Sequence, residues 1–134
     1  MAEFALKIVT PEGLRYDGPA ERLLVRTTAG DVAILPGHIN YVAPLGMGET
    51  IVTVEGKKRR GACIGGMVSV VGGKVSIVAT TFEWAEDIDA KRAQASYDRA
   101  QNVLNQKSSS DADIRLAQAR LRRALVRKSV ASEK

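Results

Sequence analysis

The sequence has no glycine and no proline after Gly73, although the chain contains twelve glycines and four prolines. Glycine and proline mark turns and interrupt helices. We therefore expect the first 73 residues to be rich in turns, whereas the last 61 can form uninterrupted helices. This break predicts two domains, a β body over 1–84 and a helical region over 85–134.

Residues that carry catalytic or metal chemistry are scarce. Cys63 is the only cysteine and His38 the only histidine of the chain. A lone cysteine excludes an internal disulfide and a cysteine-based metal cluster, and a lone histidine excludes a paired-histidine metal site. No nucleophile accompanies His38, so we expect no catalytic residues and no metal site. Because Cys63 falls in a predicted strand, we expect it to be a small core residue.

Aromatic residues and long apolar runs are also few. Aromatics make up 4% of the chain, so the core must consist mainly of aliphatic side chains. The apolar runs are far too short to cross a bilayer. Glu3 stands where a signal peptide would be basic, and no long apolar stretch follows it. We therefore expect the protein to stay in the cytoplasm.

The net charge of +5 is distributed unevenly. Residues 1–84 carry nine Lys/Arg against eight Asp/Glu, whereas residues 85–134 carry eleven against seven, a net +4. The excess of positive charge therefore lies in the helical region. Its partner should be acidic, which leaves a nucleotide, a nucleic acid or an acidic protein surface.

Short β-branched and apolar runs fill the first domain. Alternation of apolar and polar residues, or continuous apolar character, marks each run as a strand, and the glycines separate them. The predicted strands cover 4–10, 23–28, 32–35, 41–45, 49–54, 61–64, 67–71 and 74–79. The Gly72-Gly73 pair fits a two-residue hairpin loop because glycine tolerates positive φ. Many short strands at regular spacing predict a sandwich or a barrel.

A run of four basic residues, Lys57–Arg60, follows Gly56. Two interpretations remain open at this point. The run is either the solvated tip of a hairpin or a surface that contacts phosphate or lipid headgroups.

The second domain has the periodicity of two helices. One apolar stripe recurs at spacings of three and four, and Asp87 or Asp89 can cap its helix. The stripe consists of Ala90, Ala93, Tyr97, Ala100 and Leu104. The polar segment 105–110 is predicted to be a loop, and a second helix should begin at Asp111 or Asp113. Two helices joined by a short loop form an antiparallel hairpin, which we expect to be weakly held and mobile because alanine buries little area.

Arginine residues form one row on each predicted helix. Asp89, Arg92, Ser96 and Arg99 share a face of the first helix. Arg120, Arg123 and Arg127 share a face of the second. The planar guanidinium fork suits a polyphosphate because it donates two parallel hydrogen bonds. A solvated basic face is the alternative that spacing alone leaves open.

Five segments together resemble the epsilon subunits of bacterial F-type rotary ATP synthases. They are Val9–Gly13, Ile34–His38, Val42–Leu45, Glu86–Asp89 and Leu121–Leu125. The resemblance covers essentially the whole chain without large insertions. It implies a two-sheet antiparallel β-sandwich followed by an antiparallel two-helix hairpin.

The resemblance also implies a function. Epsilon is a non-catalytic rotor subunit whose sandwich binds the gamma subunit and rests on the c-ring. Its helices either fold down or extend along gamma to the alpha/beta catalytic head, where they inhibit ATP hydrolysis. The resemblance implies a peripheral position on the cytoplasmic side of the cell membrane, reached only through the complex.

Residue by residue, Ile88–Ala93 matches the Ile/Leu-Asp-x-x-Arg-Ala motif that binds ATP in some bacterial epsilon subunits. The implied ATP ligands are Glu83, Ile88, Asp89, Arg92, Ala93, Arg99, Arg123 and Arg127. ATP would act as a regulatory ligand without hydrolysis, since no Walker-type loop is present, and the need for Mg is left open. Asp31 and His38 are implied to face the c-ring. Arg115 and Arg122 are candidates for the catalytic beta subunit.

Two other functions fit the bulk composition less well. A nucleic-acid-binding module would use the basic tail, but aromatic residues for base stacking are scarce and acids alternate with the arginines. A small enzyme in the β body would need an acid, a base and a nucleophile, and no such set is evident. We expect no nucleic-acid partner.

Overall fold

The structure is a computed structural model that describes residues 2–106 and 110–132. It divides into two compact units, Met1–Trp84 and Ala85–Lys134. The first unit contains strands and the second contains helices.

The first unit is built from eight strands. Their bounds are β1 Phe4–Thr10, β2 Gly13–Ala20, β3 Arg22–Thr27, β4 Gly30–Ile34, β5 Tyr41–Pro44, β6 Met47–Val54, β7 Lys57–Val71 and β8 Lys74–Trp84. They are paired in the order β2-β1-β8-β7-β6-β3-β4, and β5 pairs with β7. All these pairs are antiparallel except β1 with β8, which is parallel.

The long strand β7 connects two layers. Its first part pairs with β6 over Lys57–Ile64, and its last part pairs with β5 over Met67–Val70. The change of partner occurs at Gly65 and Gly66, both at positive φ. The terminal strands β2 and β4 of the pairing order do not pair with each other, so the sheet does not close into a barrel. The predicted two-sheet sandwich is confirmed, with β7 and β8 shared between its layers.

Alternate residues of every strand from β1 to β8 meet in one core. Leu6, Ile8, Val25, Val68 and Ile77 are almost completely buried there. The cluster consists mainly of aliphatic side chains, with Phe4, Phe82 and Trp84 as its aromatic members. All members of this cluster belong to the first unit, so the sandwich contains a complete hydrophobic core.

Three details of the strand prediction were wrong. Segments 61–64 and 67–71 form one strand, because β8 pairs with β7 on both sides of the glycine pair. The basic run Lys57–Arg60 is the start of β7 and does not form the tip of the β6–β7 hairpin. That tip is the turn at Glu55-Gly56, where φ is 51° and 74°. The strand β2 was missed because Gly18 and Pro19 are typical of turns. Proline is tolerated in β2 because β2 is an edge strand.

Trp84 closes the core at the end of β8. Its indole Nε1 donates a hydrogen bond to the carbonyl of Arg15 at 3.0 Å. Its ring packs edge-on against Phe82, and the Arg59 guanidinium lies 3.8 Å from its ring centroid. Trp84 is 3% exposed and is the only tryptophan of the chain, so its fluorescence reports the folding of the sandwich.

Cys63 lies on β7 and is buried, which confirms the prediction of a core residue. Burial raises the pKa of its thiol to about 11. The thiolate is therefore disfavoured at neutral pH, and the residue is unsuited to nucleophilic chemistry.

The second unit begins with a single 3-10 turn, Ala85–Asp87, and continues as two helices, α1 Ala90–Asn105 and α2 Asp111–Ser132. Asp89 is the N-cap of α1, since its Oδ1 accepts a hydrogen bond from the Arg92 amide at 3.0 Å. α2 begins at Asp111, one of the two predicted starts. Ser110 caps it through its hydroxyl, which accepts a hydrogen bond from the Asp113 amide at 3.1 Å.

Only part of the predicted loop at 105–110 lies within the described residues. Asn105 belongs to α1, and residues 107–109 lie outside the described residues. Within the described part, neither helix is long and apolar enough to cross a membrane.

Alanines line the interface between α1 and α2. Ala93 and Ala100 are buried on α1, and Ala117 and Ala124 are buried on α2. Each pair is spaced by seven residues, or two helical turns. Ala90, which the sequence placed in the stripe, is exposed because it lies in the first turn of α1, to one side of the line through Ala93 and Ala100.

Candidate functional site

Three arginines of the hairpin stand immediately before a buried alanine. Arg92 precedes Ala93, Arg99 precedes Ala100, and Arg123 precedes Ala124. One residue turns a helix by about 100°, so each arginine lies at the same angle to the interface, on the same rotational side of its helix.

In an antiparallel pair, residues that are rotated in the same sense from the interface emerge on the same edge of the hairpin. The preceding arginines of both helices therefore share one edge. Arg127 and Arg120 are rotated in the same sense from Ala124, by about 60° and 40°. We call this set of five residues, Arg92, Arg99, Arg120, Arg123 and Arg127, the arginine edge.

The opposite edge of the hairpin carries a contact between the two helices. Tyr97 follows Ala93 by four residues and Lys128 follows Ala124 by four, so both are rotated away from the arginine edge. The Lys128 Nζ lies 4.2 Å from the centroid of the Tyr97 ring. This contact joins the two helices on the edge opposite the arginines.

Arg99 of α1 thus shares this edge with Arg123 and Arg127 of α2. Arg92 lies about 10 Å from Arg99 along α1, toward its N-terminus. Arg92 and Arg99 are exposed, whereas Arg123 and Arg127 are half-buried. The Arg99 Nη2 donates a hydrogen bond to the Ser96 hydroxyl at 3.1 Å. The edge is thus a row of guanidinium groups long enough to follow several linked phosphates.

The remaining residues of the ATP motif have structural positions. Ile88 and Ala93 are buried, and Ala93 packs in the helix interface. Asp89 uses one carboxylate oxygen to cap α1. Glu83 lies on β8 in the first unit, half-buried and paired with Ala62 of β7. The described geometry therefore brings together the arginines, while Ile88, Asp89 and Ala93 shape the start of α1.

Arg115 and Arg122 lie on a different face of α2. They are seven residues apart and both are exposed. They are rotated by about 160° from the line through Ala117 and Ala124, so they point away from α1. Arg122 therefore does not belong to the arginine edge, as its position beside Arg123 predicts.

Asp31 lies on β4, and His38 follows the turn after that strand. Asp31 forms an ion pair with Arg26, its partner across β3 and β4, and this hydrogen bond lowers the pKa of the Asp31 carboxyl. The Nδ1 of His38 donates to the carbonyl of Ile39 at 2.7 Å. The His38 ring packs edge-on against Tyr41. Both side chains have local partners and remain at least partly accessible.

One surface of the sandwich was missed by sequence reasoning. A row of apolar residues crosses five paired strands, and each residue faces the next in register. The row consists of Pro44, Met67, Val78, Val9 and Leu14. Met67, Val78 and Leu14 are 43%, 57% and 55% exposed. Only the register reveals this apolar row, because the sequence shows five separate strands.

Within residues 2–106 and 110–132, no group of three or more His, Cys, Asp or Glu side chains could hold a metal ion.

Two family profiles cover nearly the whole chain. Residues 3–85 match the β-sandwich domain of the ATP synthase delta/epsilon chain, and residues 86–132 match its long α-helix domain. The chain belongs to the ATP synthase delta/epsilon chain family. The suspected resemblance is therefore confirmed.

Bacterial epsilon chains are similar over their full length. The ATP synthase epsilon chain of Bacillus velezensis is 44% identical, covering 98% of both chains. That of Ruminococcus albus is 38% identical, covering 100% of both. Among solved structures, a chain of the Euglena gracilis mitochondrial ATP synthase has a TM-score of 0.84 at 23% identity, covering 100% of this chain and 83% of that one. At this identity the match shows a common fold.

Epsilon-family membership decides the class of function. The chain is a structural and regulatory subunit of the ATP synthase central stalk and has no catalytic role of its own. It acts as part of the F1 complex, which is associated with a membrane.

Proposed function

We propose that the helical hairpin binds ATP along the arginine edge and that bound ATP favours the folded-down hairpin. Without ATP, the helices extend toward the alpha/beta catalytic head and inhibit ATP hydrolysis. The sandwich holds the subunit on gamma and the c-ring, at the cytoplasmic side of the cell membrane. Arg115 and Arg122 contact the catalytic beta subunit in the extended state, whereas Asp31 and His38 face the c-ring.

The arginine edge is the observation that carries the nucleotide proposal. Guanidinium groups on one edge of a hairpin repel each other, and an anion between them removes that repulsion. Each guanidinium can also donate two hydrogen bonds to a phosphate. Because Arg99 comes from α1 and Arg123 and Arg127 come from α2, one phosphate chain would bridge both helices. Glu83 and Asp89 would accept hydrogen bonds from the adenine or ribose, or orient arginines.

A ligand that binds only the closed hairpin stabilises it by mass action. At a concentration one hundred times its dissociation constant, such a ligand contributes about 2.7 kcal/mol. An interface of alanines is weak enough for this contribution to decide between closed and open states. ATP level would thereby control whether the inhibitory helices are released.

Replacement of Arg99 by alanine is expected to weaken ATP binding by about tenfold or more, since a hydrogen bond from a charged group contributes about 1.5–3 kcal/mol. Titration calorimetry of the full chain with ATP measures this change. Arg122→Ala is the matched control, because it removes the same charge from the outer face of α2. Equal affinities of Arg99→Ala and the unchanged chain would reject the arginine edge as the site.

The double variant Asp89→Ala with Arg92→Ala tests the end of the site at the start of α1. It should abolish ATP binding, while the fluorescence of Trp84 stays native. Because Asp89 also caps α1, Asp89→Ser is the necessary companion. Serine retains the cap but removes the carboxylate. Weak binding by Asp89→Ser would assign the carboxylate a role in the ATP site, whereas normal binding would leave Asp89 with the cap alone.

For the sandwich, we propose that the apolar row of Pro44, Met67, Val78, Val9 and Leu14 packs against gamma. Exposed apolar residues in a continuous row mark interaction surfaces. Asp31 and His38, which are at least partly exposed, would then remain for the c-ring loops.

Val78→Glu is expected to weaken binding of the chain to gamma by at least about tenfold, because it places a charge in the middle of an apolar contact. Pull-down or titration with purified gamma measures the loss. Ala33→Glu on β4, also exposed, is the control for added charge. Retained gamma binding by Val78→Glu would show that another face of the sandwich is used.

A further inference from the structure

The alanine interface of the hairpin does not by itself specify how far the two helices slide along each other. Ala93 and Ala100 are equal in size and spaced by seven residues, as are Ala117 and Ala124. Ala131 continues the series after another seven residues. A displacement of α2 by two turns would offer α1 a similarly small, apolar surface, so the packing distinguishes poorly between these alignments.

The contact between Lys128 and Tyr97 is different because it exists at one alignment only. The ammonium lies 4.2 Å from the ring centroid, within the range of a cation–π interaction. A slide of two turns would move the two groups apart by about 11 Å and break the contact. Both residues are partly buried, so solvent competes only partially for the ammonium.

We infer that Tyr97 and Lys128 form an alignment lock, which holds α1 and α2, and with them the arginines of both helices, in one relative position. Tyr97 and Lys128 are positioning residues for an anionic polyphosphate such as ATP and do not touch it. This role rests on the proposed function of the arginine edge. The lock itself exists without nucleotide.

Four variants separate positioning from direct contact. Tyr97→Leu removes the aromatic face and leaves the charge of Lys128 in place. Lys128→Met removes the charge and leaves the ring. Tyr97→Phe and Lys128→Arg are the conservative controls, because a phenyl ring still attracts a cation and a guanidinium still stacks on the tyrosine ring.

The first measurement is ATP affinity of the full chain by titration calorimetry. We expect Tyr97→Leu and Lys128→Met each to weaken binding by about twofold to fivefold. The double variant should lose no more than either single variant, because both remove the same contact. Tyr97→Phe and Lys128→Arg should retain near-native affinity. Loss in Lys128→Met with normal binding by Tyr97→Leu would overturn the lock and indicate direct contact of Lys128 with phosphate.

The second measurement needs no nucleotide. Amide hydrogen exchange around Ala124 should lose protection by about the same twofold to fivefold in Tyr97→Leu and Lys128→Met. If the unchanged chain fails to bind ATP, the proposed function fails, and this exchange experiment still decides on the lock. Unchanged protection in both variants would overturn the inference.

Discussion

Replacing Gly66 with alanine is expected to destabilise the sandwich by more than about 3 kcal/mol, which for a domain of this size lowers its Tm by about 12 °C or more. Gly66 has a φ of +116°, a conformation that costs other residues about 1–3 kcal/mol. An added Cβ would lie 2.0 Å from the carbonyl oxygen of Val78. Relief of that clash requires β7 and β8 to separate where β7 changes partner.

Gly13→Ala isolates the steric part of this effect. Gly13 has a φ of +136°, but no atom lies within 4 Å of the Cβ position. The alanine there should cost only the backbone strain of about 1–3 kcal/mol. Thermal unfolding followed by Trp84 fluorescence compares the two variants directly. Equal losses of stability in both would show that the approach of Val78 to Gly66 is not a constraint.

The strand content of the sandwich was predictable because alternation along β1 and the apolar runs of the central strands are local signals. The path of β7 was not predictable in the same way. A Gly-Gly pair in a sequence is typical of a turn, as Gly72-Gly73 is. Gly65-Gly66 instead bends a continuous strand, since β8 pairs with both of its halves. That outcome depends on pairing between distant residues.

In the helical hairpin, local sequence predicts the arrangement within each helix but not the contact between the helices. The cap at Asp89 and the alanine spacing follow from local sequence, and they determine which residues share an edge. The partnership of Lys128 with Tyr97 joins two different helices, so no pattern within one helix predicts it. The rotation of Arg122 away from Arg123 could be predicted, because one residue always turns a helix by about 100°.

The proposed inhibitory role requires the hairpin but not the sandwich, and a truncation after Glu86 separates the two. The core cluster lies entirely within Met1–Trp84, so the shortened chain should fold and keep the apolar row. The truncated subunit is then expected to assemble with gamma as before.

ATP hydrolysis by the complex with the truncated subunit should rise severalfold over that of the unchanged complex, because no helices remain to reach the catalytic head. Steady-state ATPase assays at low and high ATP measure this rise, which should be largest at low ATP, where the intact hairpin is unliganded. A full-length chain with Arg115→Ala and Arg122→Ala should show part of the same rise, since it keeps the hairpin and removes only the outer arginines. If truncated complexes assemble normally and remain as inhibited as intact ones, the hairpin is not the inhibitor. If only the double arginine variant remains fully inhibitory, the hairpin inhibits through contacts other than these two guanidinium groups.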